Sequence, residues 1–201
     1  MWKKVVFLFS MFMCIASFTF AMTITGMGQA YHPISPYARN TTTITNLEGK
    51  KLNFVGNDSY LTFTPNNQGN KKIVLYPYGH GRGAMWMIHE IYTDDPTIRL
   101  WSVEAFSGSK GFTCGYWILG EKKGQYQVYV STDHLISYGY QIKGPGKVKA
   151  KIVNGRYVME LRHANFDYSQ PDIAHALTLP LDNTIVIDWD SEAQWFSIGE
   201  I

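Results

Sequence analysis

The chain has 201 residues, 18 basic and 16 acidic side chains and a formal net charge of +2, and 15% of its residues are aromatic. This length supplies enough apolar residues for one domain with a sizeable core. Proteins that bind the phosphate backbone of nucleic acids normally carry a clustered basic excess, and this composition provides none. We therefore expect no nucleic-acid partner.

The first 21 residues have the pattern of a cleavable signal peptide. Lys3 and Lys4 precede an almost wholly apolar run over residues 5–15, and Thr19-Phe20-Ala21 has small residues where signal peptidase requires them. An uncleaved anchor and a lipoprotein signal at Cys14 are the alternatives, but the apolar run is short for a membrane span and bulky residues precede Cys14. The sequence predicts a secreted or periplasmic protein, cleaved near Ala21, with no integral membrane span after cleavage.

Loss of the two signal-peptide lysines lowers the basic count from 18 to 16, which equals the 16 acidic residues. Cys114 is then the only cysteine, so no intrachain disulfide can form. Strand alternation puts Cys114 on the same face as Phe112, Tyr116 and Ile118, inside the core. This position predicts a buried, inert thiol rather than the nucleophile of a Cys–His protease.

Most of the remaining chain has the pattern of short β-strands separated by turn residues. Residues 22–48, rich in Thr, Gly and Pro, predict an extended N-terminal arm, and residues 49–201 predict a single β-domain. Strand-like runs occupy residues 51–55, 60–64, 73–76, 85–92, 98–106, 114–119, 126–131, 135–142 and 184–190. The pattern predicts an all-β fold, an antiparallel β-sandwich or barrel of roughly ten to twelve strands. One short helix is predicted near residues 170–177, where Ser169 is a suitable N-cap and Pro171 suits the first turn.

Residues 147–163 predict a β-hairpin, because Asn154-Gly155 is the preferred pair for a two-residue turn. A turn of this length fixes the register of the two strands. Six apolar residues then share one buried face in the pairs Ile152–Tyr157, Ala150–Met159 and Val148–Leu161. On the solvent face, Lys149 is expected opposite Glu160.

A glycine-rich connection over residues 76–83 is the first candidate binding segment. Its glycines let backbone N–H groups approach an anionic or sugar ligand, while Arg82 supplies charge, His80 an imidazole and Tyr78 a flat apolar surface. The alternative is a hairpin loop whose glycines serve only the turn dihedrals.

Met85, Met87 and His89 alternate along one predicted strand, so all three are expected on one face. Thioether and imidazole donors suit Cu(I) or Ag(I). The alternative is structural, because methionine is a common core residue and a histidine at the end of an apolar row usually hydrogen-bonds within the core.

His163 and the connection after it form the second candidate binding segment. His163 continues the inward alternation of the hairpin, and residues 164–183 carry Asp167 and His175. Connections this long are usually functional or disordered. We hypothesise that this connection and the glycine-rich loop lie at the same end of the domain and border one pocket. The ligand-facing set is then Tyr78, His80, Arg82, His163, Asp167 and His175. The alternative is that His163 bonds a loop carbonyl and the connection only covers the core.

Asp188, Asp190 and Glu192 alternate like the start of a calcium loop, but the glycine and the distal glutamate of such a loop are missing. We expect these carboxylates on the polar face and exit turn of a strand. The buried side of that strand carries Ile185, Ile187 and Trp189.

Several tyrosines, including Tyr129, occur where strand alternation turns them toward solvent, as in sugar- and peptide-binding modules. No nucleophile–base pair or metal cluster of recognised spacing is present. We therefore expect a non-catalytic, exported binding or envelope-interaction protein for a glycan or peptide, without a cofactor and with an extracellular or periplasmic ligand or protein as partner. The alternatives are a secreted enzyme acting on glycan or another extracellular polymer, and a periplasmic Cu(I)/Ag(I)-binding protein that uses Met85, Met87 and His89.

Overall fold

The computed structural model describes residues 22–34, 40–57, 59–65, 72–78, 84–107, 112–140, 146–163 and 181–200. Within these ranges the chain forms thirteen strands and one short helix. In chain order they are β1 (Ile24–Ile34), β2 (Asn40–Thr45), β3 (Lys51–Gly56), β4 (Leu61–Thr64), β5 (Ile73–Leu75), β6 (Ala84–Thr93), β7 (Ile98–Ser107), β8 (Thr113–Lys122), β9 (Gln125–Val130), α1 (Thr132–Ser137), β10 (Gly146–Val153), β11 (Arg156–His163), β12 (Leu181–Asp190) and β13 (Trp195–Glu200).

The strands form three antiparallel sheets, which confirms the predicted all-β class. The central sheet has the order β1-β6-β7-β8-β9, the N-terminal sheet β2-β3-β4-β5 and the C-terminal sheet β10-β11-β12-β13. The sequence predicted either a sandwich or a barrel, and the sandwich fits, because none of the described sheets closes on itself.

Alternate side chains of the central sheet enter two separate cores. The C-terminal core lies between the central and C-terminal sheets and includes Ile91, Leu100, Ile118, Tyr129, Tyr157, Met159, Ile187 and Phe196. The N-terminal core lies between the central and N-terminal sheets and includes Leu52, Phe54, Phe63, Trp86, Ile88, Trp101 and Trp117. The central sheet is therefore covered on both faces, which makes the fold a three-layered β-sandwich.

The predicted hairpin is confirmed residue by residue. Its strands β10 and β11 pair Ile152 with Tyr157, Ala150 with Met159, Val148 with Leu161 and Lys149 with Glu160, without a register shift. Asn154 and Gly155 adopt φ of 51° and 77°, as a type I′ turn requires. The ion pairs of Glu160, however, are made with Lys151, its diagonal neighbour on β10, and with Arg162, two residues further along β11.

The strand predicted over residues 135–142 is wrong, because residues 132–137 form α1. The Ser131 side chain accepts a hydrogen bond from the His134 amide at 3.1 Å, and Asp133 lies in the first turn, where a carboxylate is favourable. Leu135 anchors this short helix in the C-terminal core. The helix predicted near residues 170–177 lies outside the described residues. In the described ranges, no helix is long and apolar enough to cross a membrane.

Tyr129 was expected to point toward solvent, and this expectation is wrong. The side chain is only 1% exposed and packs edge-on against Trp189 and Phe196, with both ring centroids 5.5 Å away. The prediction assumed one solvated face of the sheet. Because both faces of the central sheet are covered, both sets of alternating side chains in β9 have neighbours to pack against.

Residues 22–48, predicted as an extended N-terminal arm, contain two paired strands. β1 joins the central sheet through β6, and β2 joins the N-terminal sheet through β3. Both strands are therefore hydrogen-bonded within the sandwich.

Cys114 lies at a β-bulge, which changes its predicted face. Ala105 pairs with Gly115 and Phe106 with Thr113, so Cys114 is the extra residue of β8. Cys114 therefore packs, half-buried, against the N-terminal core, whereas Tyr116 and Ile118 enter the C-terminal core. Burial, with a smaller effect of the nearby Glu104 carboxyl, raises the pKa of the thiol to about 11. Few thiolates exist at neutral pH, which agrees with an inert cysteine.

Candidate functional site

An open groove of about 670 Å³ runs beside β1, the outer strand of the central sheet. Its lining consists of residues 28–31 of β1, Thr42 of β2, and Glu90 and Tyr92 of β6. The Tyr92 side chain is 48% exposed, so its ring is available to a ligand.

The shape of the groove depends on irregular pairing between β1 and β6. The register shifts three times along β1, and one shift falls between Met27 and Ala30. Such bulges bend an edge strand and redirect its side chains. A Cβ atom on Gly28 would lie 2.8 Å from the Tyr92 hydroxyl oxygen, so the absence of a side chain at Gly28 leaves room for the Tyr92 ring. The bulged glycine and the tyrosine therefore form one wall together.

Glu90 is held in place by Arg99. The Arg99 Nε atom donates to Glu90 Oε1 at 2.9 Å, and the two side chains are 18% and 16% exposed. Arg99 also donates to the Thr45 carbonyl oxygen, which ties this pair to β2. Burial, followed by the charge of Glu90, raises the pKa of Tyr31. The groove therefore presents a carboxylate that is held by Arg99, beside a phenol that keeps its hydrogen at neutral pH.

A polar cluster lies between the central and C-terminal sheets. Thr113 Oγ1 donates to Glu104 Oε1 at 2.5 Å and accepts from the Val148 amide at 3.0 Å. Further along the same face, the Tyr116 and Tyr157 hydroxyls contact each other. These bonds connect β7 and β8 to the strands of the C-terminal sheet.

Among the described residues of this cluster, Glu104 is the one that carries a carboxyl group. Burial raises its pKa to about 7, although the Thr113 hydrogen bond and the charge of Lys147 act in the opposite direction. A carboxyl group with this pKa exchanges its proton near neutral pH, as a general acid or base does. Burial also raises the pKa of Tyr157 to about 12, so that phenol remains neutral.

Met85, Met87 and His89 share one face of β6, as predicted. The three side chains are partly exposed, whereas Trp86 and Ile88 between them are buried. His89 Nδ1 lies 3.1 Å from the Gly28 carbonyl oxygen. In the part of the chain that the structure describes, no three His, Cys, Asp or Glu residues are grouped as metal ligands.

The residues that flank the two predicted binding loops lie at one end of the sandwich. The Tyr78 amide donates to the Cys114 carbonyl at 2.6 Å, and its hydroxyl donates to Asp133 at 2.7 Å, which raises the pKa of Tyr78. Thr113, next to Cys114 in the chain, accepts a hydrogen bond from the Val148 amide. Val148 is two residues from Gly146, which is the strand partner of His163. His80, Arg82, Asp167 and His175 lie outside the described residues, so their shared pocket stays a prediction.

Asp188 and Asp190, near the end of β12, make contacts that stabilise the strand and the turn after it. Arg156 pairs with Asp188 at 3.3 Å, and Asp190 Oδ1 accepts from the amides of Glu192 and Ala193 at 2.9 and 3.0 Å. Ile185, Ile187 and Trp189 are buried, as expected for the other face of the strand.

No family model, curated protein or solved structure matches this chain. The geometry of the described residues is therefore the basis for the functional argument.

Sequence reasoning missed the groove and the polar cluster. The glycines at positions 26 and 28 and the exposed Tyr92 are the local signals of the groove, because glycine within a strand often marks a bulge or a close approach. The position of Glu104 inside an apolar strand was a comparable signal for a charge that needs partners.

Proposed function

We propose that this protein is an exported, non-catalytic binding protein whose β1–β2–β6 groove takes a neutral saccharide. One observation carries the proposal: Tyr31, Tyr92 and the ordered Glu90 carboxylate line a single groove of about 670 Å³. Ligand sites in proteins have similar volumes. The groove also lies on strands of a sheet that is packed on both faces, which favours a preformed site.

The chemistry of the groove suits a sugar better than an apolar ligand. Tyrosine rings offer flat apolar surface for the C–H faces of a pyranose ring. The Glu90 carboxylate accepts hydrogen bonds from hydroxyl groups, and the two phenols donate or accept them. Because Arg99 already neutralises Glu90, the groove does not require a cationic ligand.

A titration with chitotriose and with cellotriose, followed by NMR of the tyrosine ring resonances, tests the groove. We expect Tyr92→Ala to weaken binding of the recognised sugar at least tenfold. Tyr138→Ala is the matched control, since Tyr138 is 61% exposed and follows α1, away from the groove. Equal affinity of the Tyr92 variant and the parent, or no binding of either sugar at millimolar concentration, contradicts the proposal.

The export part of the proposal has a separate test. The signal-peptide pattern supports cleavage after Ala21, so intact-mass analysis of protein from an exporting host should give a chain that begins at Met22. Retention of residues 1–21, or a lipid on Cys14, contradicts it.

A secreted enzyme acting on glycan is the second candidate, and the pKa of about 7 at Glu104 favours it. His80, His163, Asp167 and His175 are the further acid–base groups that the sequence suggests. The test is an assay for the release of reducing ends from chitin or peptidoglycan. Release by the parent protein that is lost in the Glu104→Gln variant supports this candidate. Absence of release by the parent protein rules out that activity.

A further inference from the structure

A row of soft donor atoms lies on the face of β6 opposite the groove. β6 pairs with β7 in continuous register, so Met85, Met87, His89 and Ile91 share one face. On the neighbouring strand, Met27 is opposite Ile91, and a register shift separates it from Ala30, the partner of His89. Residues two apart along one strand lie about 7 Å apart on the same face, so the Met87 sulfur and a His89 ring nitrogen can reach one cation.

The exposure of these residues sets them apart from the core. Ile91, on the same face, is only 2% exposed because the C-terminal core covers it. Met85, Met87 and His89 are partly exposed, whereas Met27 packs against the C-terminal core beside Ile91. Coverage by the C-terminal sheet therefore ends part-way along this face, and the thioethers beyond that point are accessible.

The hydrogen bond of His89 defines which ring nitrogen is available. A carbonyl oxygen can only accept, so Nδ1 carries the hydrogen in the contact with the Gly28 oxygen. In the neutral ring, Nε2 then keeps its lone pair. Histidines that bind metals are commonly oriented in this way, through a backbone carbonyl on the other nitrogen.

We propose that Met87 and His89, with Met85 alongside, bind a soft monovalent cation of the Cu(I)/Ag(I) class. Thioether sulfur and imidazole nitrogen are the donors that Cu(I) prefers, and hard cations such as Mg²⁺ and Ca²⁺ prefer oxygen. The site and the sugar groove lie on opposite faces of β6, so the inference does not depend on the proposed function.

Ag(I) titration by calorimetry in chloride-free buffer tests the site, and Ag(I) needs no reductant. Because thiols also bind Ag(I), all measurements use the full chain carrying Cys14→Ser and Cys114→Ser. We expect one Ag(I) per chain at this patch, with shifts of the Met87 methyl resonance and of the His89 ring. Met87→Leu and His89→Gln should each weaken this binding at least tenfold.

Two variants control for thioethers and imidazoles elsewhere. Met159→Leu removes a thioether that is fully buried, and His134→Ala removes an imidazole exposed on α1. Both should bind Ag(I) like the parent, and circular dichroism should show the same fold for all variants. Unchanged affinity in Met87→Leu and His89→Gln, an equal loss in the two controls, or no Ag(I) binding to the parent overturns the assignment.

Discussion

The two sides of the central sheet differ in how completely they are covered. On the N-terminal side, Phe54, Phe63, Trp86 and Trp101 form a closed apolar core. On the C-terminal side, the same strands carry the polar cluster around Glu104 and the partly exposed row of Met85, Met87 and His89. Polar groups nevertheless occur on both sides: the groove of Glu90, Tyr31 and Tyr92 lies on the N-terminal side at the β1 edge, whereas the C-terminal side buries Glu104 between two sheets and leaves the soft donors partly exposed. The comparison teaches that the two sides differ in the chemistry of these groups.

The largest expected effect is on the closed side. Phe63 is fully buried and stacks on Phe54 at a centroid distance of 4.6 Å. Phe63→Ala should lower the free energy of unfolding by about 3–5 kcal/mol, because it leaves a cavity in the N-terminal core. Urea denaturation measures the change. Thr62→Ala, on the opposite face of β4, is the control and should cost less than about 0.5 kcal/mol. Similar losses for both variants would mean that this core is not closed.

The next effect concerns the polar cluster and depends on pH. The Glu104 pKa is raised from 4.5 to about 7, so between these values the folded state binds more protons than the unfolded state. Stability is therefore lost as the pH rises through this window, by at most about 3.5 kcal/mol.

Glu104→Gln keeps an acceptor for Thr113 but does not titrate. We expect the variant and the parent to be similarly stable at pH 5, and the variant to be the more stable one at pH 8. Thermal unfolding at both pH values measures the difference. Parallel pH profiles for the two proteins would show that Glu104 is not perturbed in this way.

The third effect separates two turns of the same type. Gly155 and Gly124 have φ of 77° and 75°, each after a residue with φ of 51°. A β-branched residue strains either turn, but a Cβ at Gly155 would also lie 2.4 Å from Thr23 Cγ2, and at Gly124 it would meet nothing.

We expect Gly155→Val to cost about 1–3 kcal/mol, and more than Gly124→Val. Denaturant midpoints of the two variants give the comparison. If Gly124→Val is equally or more damaging, the contact between the β10–β11 turn and Thr23 does not constrain the fold.

The smallest effect is on the solvent face of the C-terminal sheet. Hydrogen bonds from Lys151 and Arg162 lower the pKa of Glu160, whereas Lys149 is its strand partner without an ion pair among the described contacts. Lys151→Ala should therefore cost a few tenths of a kcal/mol and Lys149→Ala even less. Thermal melts at low and high salt distinguish them, because only the Lys151 effect should decrease with salt.

The sequence was most informative where structure is local. Asn154 and Gly155 set the register of β10 and β11 through a two-residue turn, and each predicted pair is present. Residues 132–137 show the limit, because a six-residue helix has too few residues for its period to be told from a strand. There the capping side chain of Ser131 was the better signal.

The candidate sites were less predictable because they depend on pairing between distant segments. Gly28 reaches Tyr92 and His89 only through the register of β1, and three bulges interrupt the period of two in that strand. Tyr129 was misjudged because a sequence does not state that a sheet is covered on both faces. The face shared by Met85, Met87 and His89 was predictable, since β6 has no bulge between them.

The long-range pairing of β1 also sets an order of assembly. Ile24 pairs with Thr93 and Ile34 with Trp86, whereas the strands of the N-terminal sheet pair with their neighbours in sequence. Contacts between distant segments form late in folding, because the loop between them must first be closed. We therefore expect β1 to be the last strand to join the central sheet. Its arrival brings Gly28 to Tyr92 and to His89, so both candidate sites would be completed in the same final folding step.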